Sequence, residues 1–285
     1  MTSVHVAGVD PGLAVVTGAS SGLGAEIARQ LSGGGHPVLA VARRADRLEA
    51  LAAAARAAGG APVHPLPLDV TAPGAAATLR DRARQLGGAA WLVNDAGSIH
   101  VGRLDESDPA ELAALVRLNC ESLVTILATM LPDMIAAGRG VVLNVSSLAG
   151  MNPTPFWATY GASKAFIITL TEGVAEELRG TGVTITAFCP GPMTTELFAK
   201  VESGAGRRRQ PHELSPEAAA RSALRAARRG RVVVVPGIIN QVLAWSSALS
   251  PRALVRRVAS RTTLGYVGLP QLGPRRPSPR LTADG

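Results

Sequence analysis

The chain has 285 residues, of which 47% are hydrophobic, so it can bury a sizeable core, and a disordered or fibrous protein is excluded. Its net charge of +8 is unevenly placed: residues 1–206 hold 14 basic and 18 acidic side chains, a net of −4, whereas residues 207–285 hold 15 and 3, a net of +12. Because the basic excess lies in one Pro-rich C-terminal segment without stacking aromatics, nucleic-acid binding is disfavoured.

Residues 1–10 carry no lysine, no arginine and no apolar run long enough for a secretory signal, which favours a cytoplasmic location. The two cysteines, Cys120 and Cys189, lie far apart in apolar stretches, so buried reduced thiols are favoured over a disulfide. The five histidines lack ligand spacing, and no metal site is predicted. They are His5, His36, His64, His100 and His212.

Short β-branched runs alternate with amphipathic segments rich in Ala, Leu and Arg from Leu13 to Cys189. The predicted strands are Leu13–Thr17, Pro37–Ala42, Val63–Leu68, Trp91–Asn94, Val141–Val145 and Val183–Phe188. The predicted helices are Leu23–Leu31, Arg44–Ala58, Ala75–Leu86, Pro109–Ala137 and Ala158–Leu178. Strands and helices in this order build βαβ units, and the sequence therefore predicts an α/β protein with a Rossmann-type, doubly wound parallel sheet and helices on both faces.

The pattern changes after Pro190. Ser215 is a predicted N-cap with Pro216 at the first helical position, which marks the start of a further helix. The segments predicted in this part are a short helix at Thr194–Val201, a loop at Glu202–Pro211, a helix at Ser215–Arg229, a seventh strand at Arg231–Val235 and short helices at Ile238–Ser247 and Arg252–Thr262. The sheet is therefore expected to have about seven strands.

The expected domain organisation is a single Rossmann-type domain over residues 13–250. It follows an N-terminal extension, 1–12, and includes a substrate loop at about 192–230. A helical segment, 251–270, comes after it. The last residues, 271–285, are rich in Pro, Arg and Gly and are expected to be disordered.

The glycine-rich sequence TGASSGLG at 17–24 directly follows the first strand and directly precedes the first helix. Glycines there allow a tight turn and close backbone approach to a pyrophosphate, whose charge the helix N-terminus stabilises. In the first βα turn of a doubly wound sheet this pattern predicts a dinucleotide site.

The spacing Gly-x-x-x-Gly-x-Gly resembles that of the short-chain dehydrogenase/reductase family. Further motifs along 13–200 strengthen the resemblance: Asp69-Val70, the Asn94-Asp95-Ala96-Gly97 variant of an Asn-Asn-Ala-Gly motif, Asn119, Tyr160-Gly161-Ala162-Ser163-Lys164 and the loop from Pro190 to Thr195. The cofactor-binding residues that the resemblance implies are Gly18, Ser20, Ser21, Gly22, Leu23, Gly24, Asp69, Val70, Asn94, Ala96, Gly97, Tyr160, Lys164, Pro190, Gly191, Met193 and Thr195.

Tyr160 and Lys164 form the predicted catalytic pair. The chain has only two tyrosines and two lysines, so this spacing is improbable by accident. On a helix, residues four apart share a face, and an ammonium beside a phenol is expected to lower the pKa of the phenol from its ordinary value of about 10. A phenol tuned in this way exchanges a proton near neutral pH. In the family, the lysine also binds the ribose hydroxyls.

Ser147 lies thirteen residues before Tyr160, at the end of a predicted strand, which matches the family's catalytic serine. Its hydroxyl would hydrogen-bond the substrate oxygen as charge develops there. Neighbouring Ser146 is favoured as structural. The resemblance makes Asn119 the fourth catalytic residue, holding a water that links the lysine to solvent, and a helix-kinking hydrogen bond is an alternative role that can coexist with it.

The end of the second strand predicts the choice of cofactor. An NAD-preferring enzyme places Asp or Glu there, whereas this chain has Ala42 followed by Arg43 and Arg44. Their guanidinium groups can pair with the 2′-phosphate of NADP. Cations are poorly placed at a helix N-terminus unless an anion compensates them, which also argues for a bound phosphate.

These patterns predict an oxidoreductase that transfers a hydride from NADPH to a ketone or aldehyde, reversibly, with Tyr160 as proton donor. An epimerase or dehydratase on the same scaffold and a catalytically idle NADP-binding module are the alternatives. A homodimer or homotetramer is expected. An apolar pocket for a hydrophobic small molecule is suggested, although core packing explains some of its residues equally well. The pocket candidates are Ala149, Met151, Phe156, Trp157, Leu197 and Phe198.

Two C-terminal segments raise the question of a membrane. Val232–Leu249 is apolar, but Pro236 and Asn240 are costly in lipid, so a strand and a helix of a soluble fold are favoured. Four arginines at helical spacing beside apolar residues resemble a helix that rests on an anionic membrane surface. A solvated face that roofs the substrate pocket is favoured instead. The four are Arg252, Arg256, Arg257 and Arg261.

Overall fold

The computed structural model describes residues 11–193 and 213–267, with the side chains of 247–249 and 262–267 left aside. The predicted helix Thr194–Val201, the loop Glu202–Pro211, the tail 271–285 and nearly all of the N-terminal extension lie outside the described residues. So do three predicted site residues, Thr195, Leu197 and Phe198.

Seven parallel strands form one sheet in the order β3-β2-β1-β4-β5-β6-β7, which confirms the predicted doubly wound α/β fold. The strands are β1 Leu13–Thr17, β2 Val38–Ala42, β3 Val63–Pro67, β4 Ala89–Asn94, β5 Gly140–Val145, β6 Val183–Phe188 and β7 Val233–Val234. The two shortest or least regular strands lie at the edges. Because an edge strand has one unpaired side, β3 tolerates Pro65 and Pro67.

Nine helices connect or follow the strands in the described part of the chain. They are α1 Gly22–Gly33, α2 Ala45–Ala57, α3 Ala75–Gln85, α4 Pro109–Val116, α5 Ser122–Ala136, α6 Ala158–Glu177, α7 Pro216–Arg228, α8 Ile238–Leu249 and α9 Arg252–Val267. Ser215 caps α7 by accepting a hydrogen bond from Ala218 N–H at 3.3 Å, as its sequence predicts. The predicted single helix Pro109–Ala137 is interrupted by a π-helical turn, Arg117–Glu121.

Both faces of the sheet are covered by helices. Successive residues of a strand point to opposite faces, so each strand contributes side chains to both layers of the core. On one face Val16 packs with α1, α2 and α7 through residues such as Ile27 and Leu48. On the other, Val15 packs with α3, α5 and α6 through residues such as Ile126. The core therefore forms two layers, and both are apolar.

One helical run in the described residues, Pro109–Ala136, is long and apolar enough to cross a membrane. It combines α4, the π-helical turn and α5, and it packs against the sheet through Leu123, Leu127 and Met130. We therefore assign it to the core. The predicted strand and helix within Val232–Leu249 correspond to β7 and α8, although β7 has only two residues.

Candidate active site

A cleft of about 880 Å³ follows the carboxyl ends of the strands. The order of the sheet reverses between β1 and β4, so the loops after these two strands diverge and leave a crevice, where doubly wound sheets bind their ligands. Its lining includes Gly18, Ser20, Ser21, Gly22, Leu23, Arg43, Arg44, Asp69, Val70, Asp95, Ala96, Gly97, His100, Glu111, Ser147, Tyr160, Lys164, Pro190, Gly191 and Met193. Most of the predicted site residues are therefore brought together.

The glycine-rich turn is locked to the loop after β4. Gly18 has a φ of +73°, a left-handed conformation that favours glycine, and a Cβ there would lie 2.8 Å from Ala96 N. Thr17 Oγ1 accepts hydrogen bonds from the N–H groups of Asp95 at 3.2 Å and Ala96 at 3.3 Å. These contacts fix the turn at the start of α1, where free N–H groups can meet a pyrophosphate.

Arg44 crosses from the start of α2 to the glycine-rich turn. Its Nη2 donates to Ser20 Oγ at 3.0 Å and to Ser21 Oγ at 2.9 Å. Arg43, its neighbour, is exposed and lines the same end of the cleft. Two guanidinium groups therefore stand at the end of β2 and line one end of the cleft.

Asp69 and Val70 line the cleft beyond β3. The Asp69 carboxylate accepts hydrogen bonds from Thr71 Oγ1 at 2.7 Å and from Thr71 N–H at 2.9 Å. These bonds, together with the positive charge of Arg43, lower the pKa of Asp69. The carboxylate is thus ionised and fixed in orientation, as is needed for a polar contact to an adenine or ribose.

Tyr160 and Lys164 lie in the first two turns of α6 and both point into the cleft. They are 3% and 6% exposed, and the Lys164 ammonium lies 5.8 Å from the centroid of the Tyr160 ring. Lys164 Nζ donates to Val145 O at 2.9 Å, which ties α6 to the end of β5. Ser147, two residues beyond that strand, shares a hydrogen bond with the Tyr160 hydroxyl. The two hydroxyls therefore converge on one point.

The expected direction of the Tyr160 pKa is wrong for this structure. Burial raises the pKa of Tyr160 to about 12, and the charge of Asp95 adds to this rise, whereas the Ser147 hydrogen bond opposes it. Burial also lowers the pKa of Lys164, which Asp95 partly offsets. The phenol is therefore held in its protonated form, which is the form that a proton donor requires.

Asn119 lies in the π-helical turn between α4 and α5, and its amide is fully engaged as a donor. Nδ2 donates to Ser98 O at 3.0 Å and to Ser163 Oγ at 2.9 Å, while Oδ1 accepts from Ser98 N–H at 2.9 Å. Ser163 Oγ in turn donates to Tyr160 O at 2.7 Å. Asn119 thus connects the loop after β4 to α6, and π-turns occur often at functional sites.

Two predicted cofactor residues support the cleft from behind. Asn94 Nδ2 donates to Asn144 Oδ1 at 2.9 Å inside the sheet, and the Asn94 side chain does not line the cleft. Gly24 is buried in α1 and contacts Asp95, whose Oδ2 lies 2.6 Å from the position of an added Cβ. Ser146, favoured as structural, donates to Lys164 O at 2.8 Å.

Asp95 is the ionisable group whose role the sequence does not predict. It occupies the second position of the Asn-Asn-Ala-Gly-like motif, and its carboxylate accepts from Gly24 N–H at the start of α1. Burial raises the pKa of Asp95 to about 7, although the nearby Lys164 ammonium and the Gly24 hydrogen bond oppose the rise. An acid that titrates near neutral pH therefore lies beside Lys164.

Burial of Asp95 predicts that the stability of wild type depends on pH, and that Asp95→Asn removes this contribution. Because the folded-state pKa is raised above the unfolded value of about 4, the folded chain binds the proton more tightly, and the contribution of Asp95 to stability is lost as pH rises through about 7. We expect the difference in Tm, wild type minus Asp95→Asn, to decrease as the pH is raised from 4 to 7. Thermal melts of both proteins measure it, and parallel curves would contradict this role of Asp95.

A second cavity of about 270 Å³ adjoins the cleft, and His100 lines both. Its walls include Leu104, Leu112, Phe156 and, from α9, Ser260. Of the predicted pocket residues, Phe156 lines this cavity, whereas Ala149, Met151 and Trp157 line neither of the two. Trp157 instead packs edge-on against Tyr160 with ring centroids 6.0 Å apart.

Phe156 has a φ of +67°, an uncommon conformation for a bulky residue. Its carbonyl accepts a hydrogen bond from Gly102 N–H at 2.8 Å, which ties the loop before α6 to the loop after β4. The backbone strain is therefore held at the junction of two loops that enclose the second cavity.

Known proteins resemble this chain across the sheet and the cleft. A family model described as short chain dehydrogenase matches residues 12–206. An oxidoreductase of Myxococcus xanthus is 40% identical over 190 residues, which cover 65% of this chain and 74% of that protein. The range that the family model matches spans the glycine-rich turn, Asn119, Ser147, Tyr160 and Lys164.

Two solved structures extend the similarity to the fold. A short-chain dehydrogenase from Sphingobium yanoikuyae in complex with NADPH is 29% identical with a TM-score of 0.75, covering 93% of this chain and 99% of its own. A 7β-hydroxysteroid dehydrogenase is 25% identical with a TM-score of 0.77, covering 87% and 96% respectively.

Proposed function

We propose that this chain, which belongs to the short-chain dehydrogenase family, is an NADPH-dependent reductase of ketones or aldehydes. The observation that carries the proposal is the convergence of the Ser147 and Tyr160 hydroxyls beside the buried Lys164 ammonium, in a cleft whose other end holds Arg43 and Arg44. An oxidoreductase of this family needs both ends, one for the reacting carbonyl and one for the nucleotide.

The residues of the cleft fit NADPH. The Gly18 turn presents N–H groups to a pyrophosphate, Asp69 and Val70 face the adenosine, and Arg43 and Arg44 offer charge to a 2′-phosphate. NADPH, when bound, supplies the hydride for reduction. The NADPH complex of the Sphingobium relative supports the same cofactor for this chain.

Tyr160 is the proposed acid. Its protonated hydroxyl donates to the carbonyl oxygen and transfers its proton as negative charge develops there. Ser147 holds the same oxygen by a second hydrogen bond, so the substrate is oriented by two hydroxyls. In the reverse direction, Ser147 holds the oxygen of an alcohol and deprotonated Tyr160 accepts its proton.

Lys164 and Asn119 support the transfer. Lys164 keeps one hydrogen bond to Val145 O and has two further donors for ribose hydroxyls. Its positive charge stabilises a phenolate at Tyr160 after the proton has left. Asn119 Oδ1 retains one lone pair beyond the hydrogen bond that it accepts from Ser98 N–H. It can therefore hold a water molecule through which Tyr160 and Lys164 are re-protonated.

The proposed substrate is a hydrophobic ketone or aldehyde with a bulky substituent. The second cavity beyond His100 extends the cleft with apolar walls from Leu104, Leu112 and Phe156, which suits such a group. The similarity to a 7β-hydroxysteroid dehydrogenase supports this class.

We further propose a cytoplasmic homo-oligomer, a homodimer or homotetramer, with the Rossmann-type domain at 13–250 and the helical segment at 251–270. Exposed apolar side chains on the outer helices support self-association. They are Val116, Val124, Ile135 and Phe166.

A panel of ketones, aldehydes, sterols and acyl thioesters tests the proposal. NADPH oxidation measured at 340 nm is expected with at least one hydrophobic ketone or aldehyde, with turnover on the order of 1–1000 per second. No NADPH oxidation with any member of the panel would contradict a carbonyl reductase.

A further inference from the structure

Helix α8 buries one polar side chain and exposes most of its apolar ones. Asn240 is 1% exposed and Ala244 is buried, whereas Ile238, Val242 and Trp245 are 79%, 60% and 71% exposed. These three residues are spaced i, i+4 and i+7, so they share one face. The exposed side of α8 is therefore mainly apolar, with Gln241 and Ser246 as its exposed polar residues.

The orientation of α8 is fixed by the active site. Asn240 Nδ2 donates to Pro236 O at 2.9 Å, and the amide packs on Gly191, where an added Cβ would lie 2.7 Å from Nδ2. Gly191 belongs to the loop that lines the cleft. Because Asn240 must face this loop, the apolar face of α8 must point to solvent.

Helix α9 presents a mixed face to solvent. Leu254 and Val258 are exposed and four residues apart. Arg257 lies three residues after Leu254, Arg261 lies three residues after Val258, and both arginines are exposed. Ser260, on another side of the helix, lines the second cavity. The predicted roof over the pocket is thus limited to one side of α9. The outer side of α9 carries apolar residues next to arginines.

The charge of this region restricts what can cover it. Helices α8 and α9 contain four arginines, all of them in α9, and no Asp or Glu, and only Ser250 and Pro251 separate the two helices. A second copy of the chain docked face to face would bring arginines against arginines with no acidic side chain in this stretch to pair them. A nucleic acid would match the charge but not Ile238, Val242 and Trp245.

We propose that α8 and α9 form a docking surface for an anionic membrane. The apolar residues Ile238, Val242, Trp245, Leu254 and Val258 enter the headgroup region, where tryptophan is favoured. Arg257 and Arg261 pair with lipid phosphates, while their long stems lie along apolar surface. The docking brings the second cavity, which α9 borders, close to the lipid.

The test is co-sedimentation of the full chain, saturated with NADPH, with vesicles of phosphatidylcholine alone or with about one third phosphatidylglycerol. We expect binding to the mixed vesicles, weak binding to phosphatidylcholine, and release at high salt. The double variant Arg257→Glu/Arg261→Glu should bind at least about tenfold more weakly. Arg56→Glu/Arg179→Glu, which reverses two exposed arginines elsewhere, is the matched control and should bind like wild type.

Tryptophan emission gives a second readout. Of the three tryptophans Trp245 is exposed, Trp157 is half-buried and Trp91 is buried. A blue shift on adding mixed vesicles is expected from entry of Trp245 into lipid, and Trp245→Ser should abolish it. Binding that Arg257→Glu/Arg261→Glu leaves unchanged would overturn the proposal. Two other results would also overturn it. One is an absence of vesicle binding together with an oligomer that Trp245→Ser dissociates, which would assign the face to a second copy. The other is a complex with DNA that either variant abolishes.

Discussion

Tyr160→Phe is expected to lower kcat for reduction of any accepted ketone by about 100-fold or more, because it removes the proposed acid. The phenyl ring keeps the edge-on contact with Trp157 and the buried position in α6, so the fold should survive. NADPH affinity should change little, since Lys164 and the Gly18 turn remain. Steady-state kinetics and NADPH titration measure the two effects separately.

The control for this variant is its melting temperature, which should stay near that of wild type. A Tyr160→Phe enzyme that keeps near-normal turnover would remove Tyr160 from the chemistry. Loss of NADPH binding together with turnover would instead assign Tyr160 to cofactor binding.

The second large effect concerns cofactor choice. Wild type is expected to prefer NADPH over NADH in kcat/KM by about 10–100-fold, since one charge-assisted hydrogen bond to a phosphate contributes about 1.5–3 kcal/mol. Arg43→Ala should lower kcat/KM for NADPH by most of this factor and leave NADH almost unaffected. Arg43 is the sharper choice, because Arg44 also binds Ser20 and Ser21 of the turn.

Arg56→Ala, in the last turn of α2 and outside the cleft lining, is the matched control and should leave both cofactors unaffected. Equal use of NADPH and NADH by wild type would contradict the assignment. So would an Arg43→Ala enzyme that loses activity with both cofactors to the same extent.

The sequence predicts the strands and most helix ends to within one or two residues, because apolar periodicity and capping residues are local properties. Ser215 and Pro216 mark the start of α7 correctly. The π-helical turn at Arg117–Glu121 is not predictable in this way. It depends on Asn119 reaching Ser98 and Ser163, which are distant in sequence.

Motif spacing predicts most of the residues that meet in the cleft, but it does not predict their electrostatics. A helical pair Tyr160 and Lys164 suggests a lowered phenol pKa, whereas burial of Tyr160 and the charge of Asp95 raise that pKa. Burial and the approach of Asp95 are tertiary properties. For the same reason Asn94, expected beside the cofactor, instead cross-links β4 to β5 through Asn144.

The outward apolar face of α8 shows the same limit. The sequence predicts a helix at Ile238–Ser247, but this prediction does not say which of its sides is exposed. The structure exposes the apolar side. The packing of Asn240 against Gly191 is a contact between residues distant in sequence, and it goes with the exposure of the opposite side of the helix.

The central claim is hydride transfer to a carbonyl carbon with protonation by Tyr160, and deuterium labelling tests it most directly. With NADPH deuterated at the transferring position of the nicotinamide and a ketone from the panel, mass spectrometry should find the deuterium on the carbinol carbon, in equal amount to the NADPH consumed. Conversion of the substrate without net NADPH consumption, or an alcohol product without deuterium at that carbon, would contradict the proposed reductase.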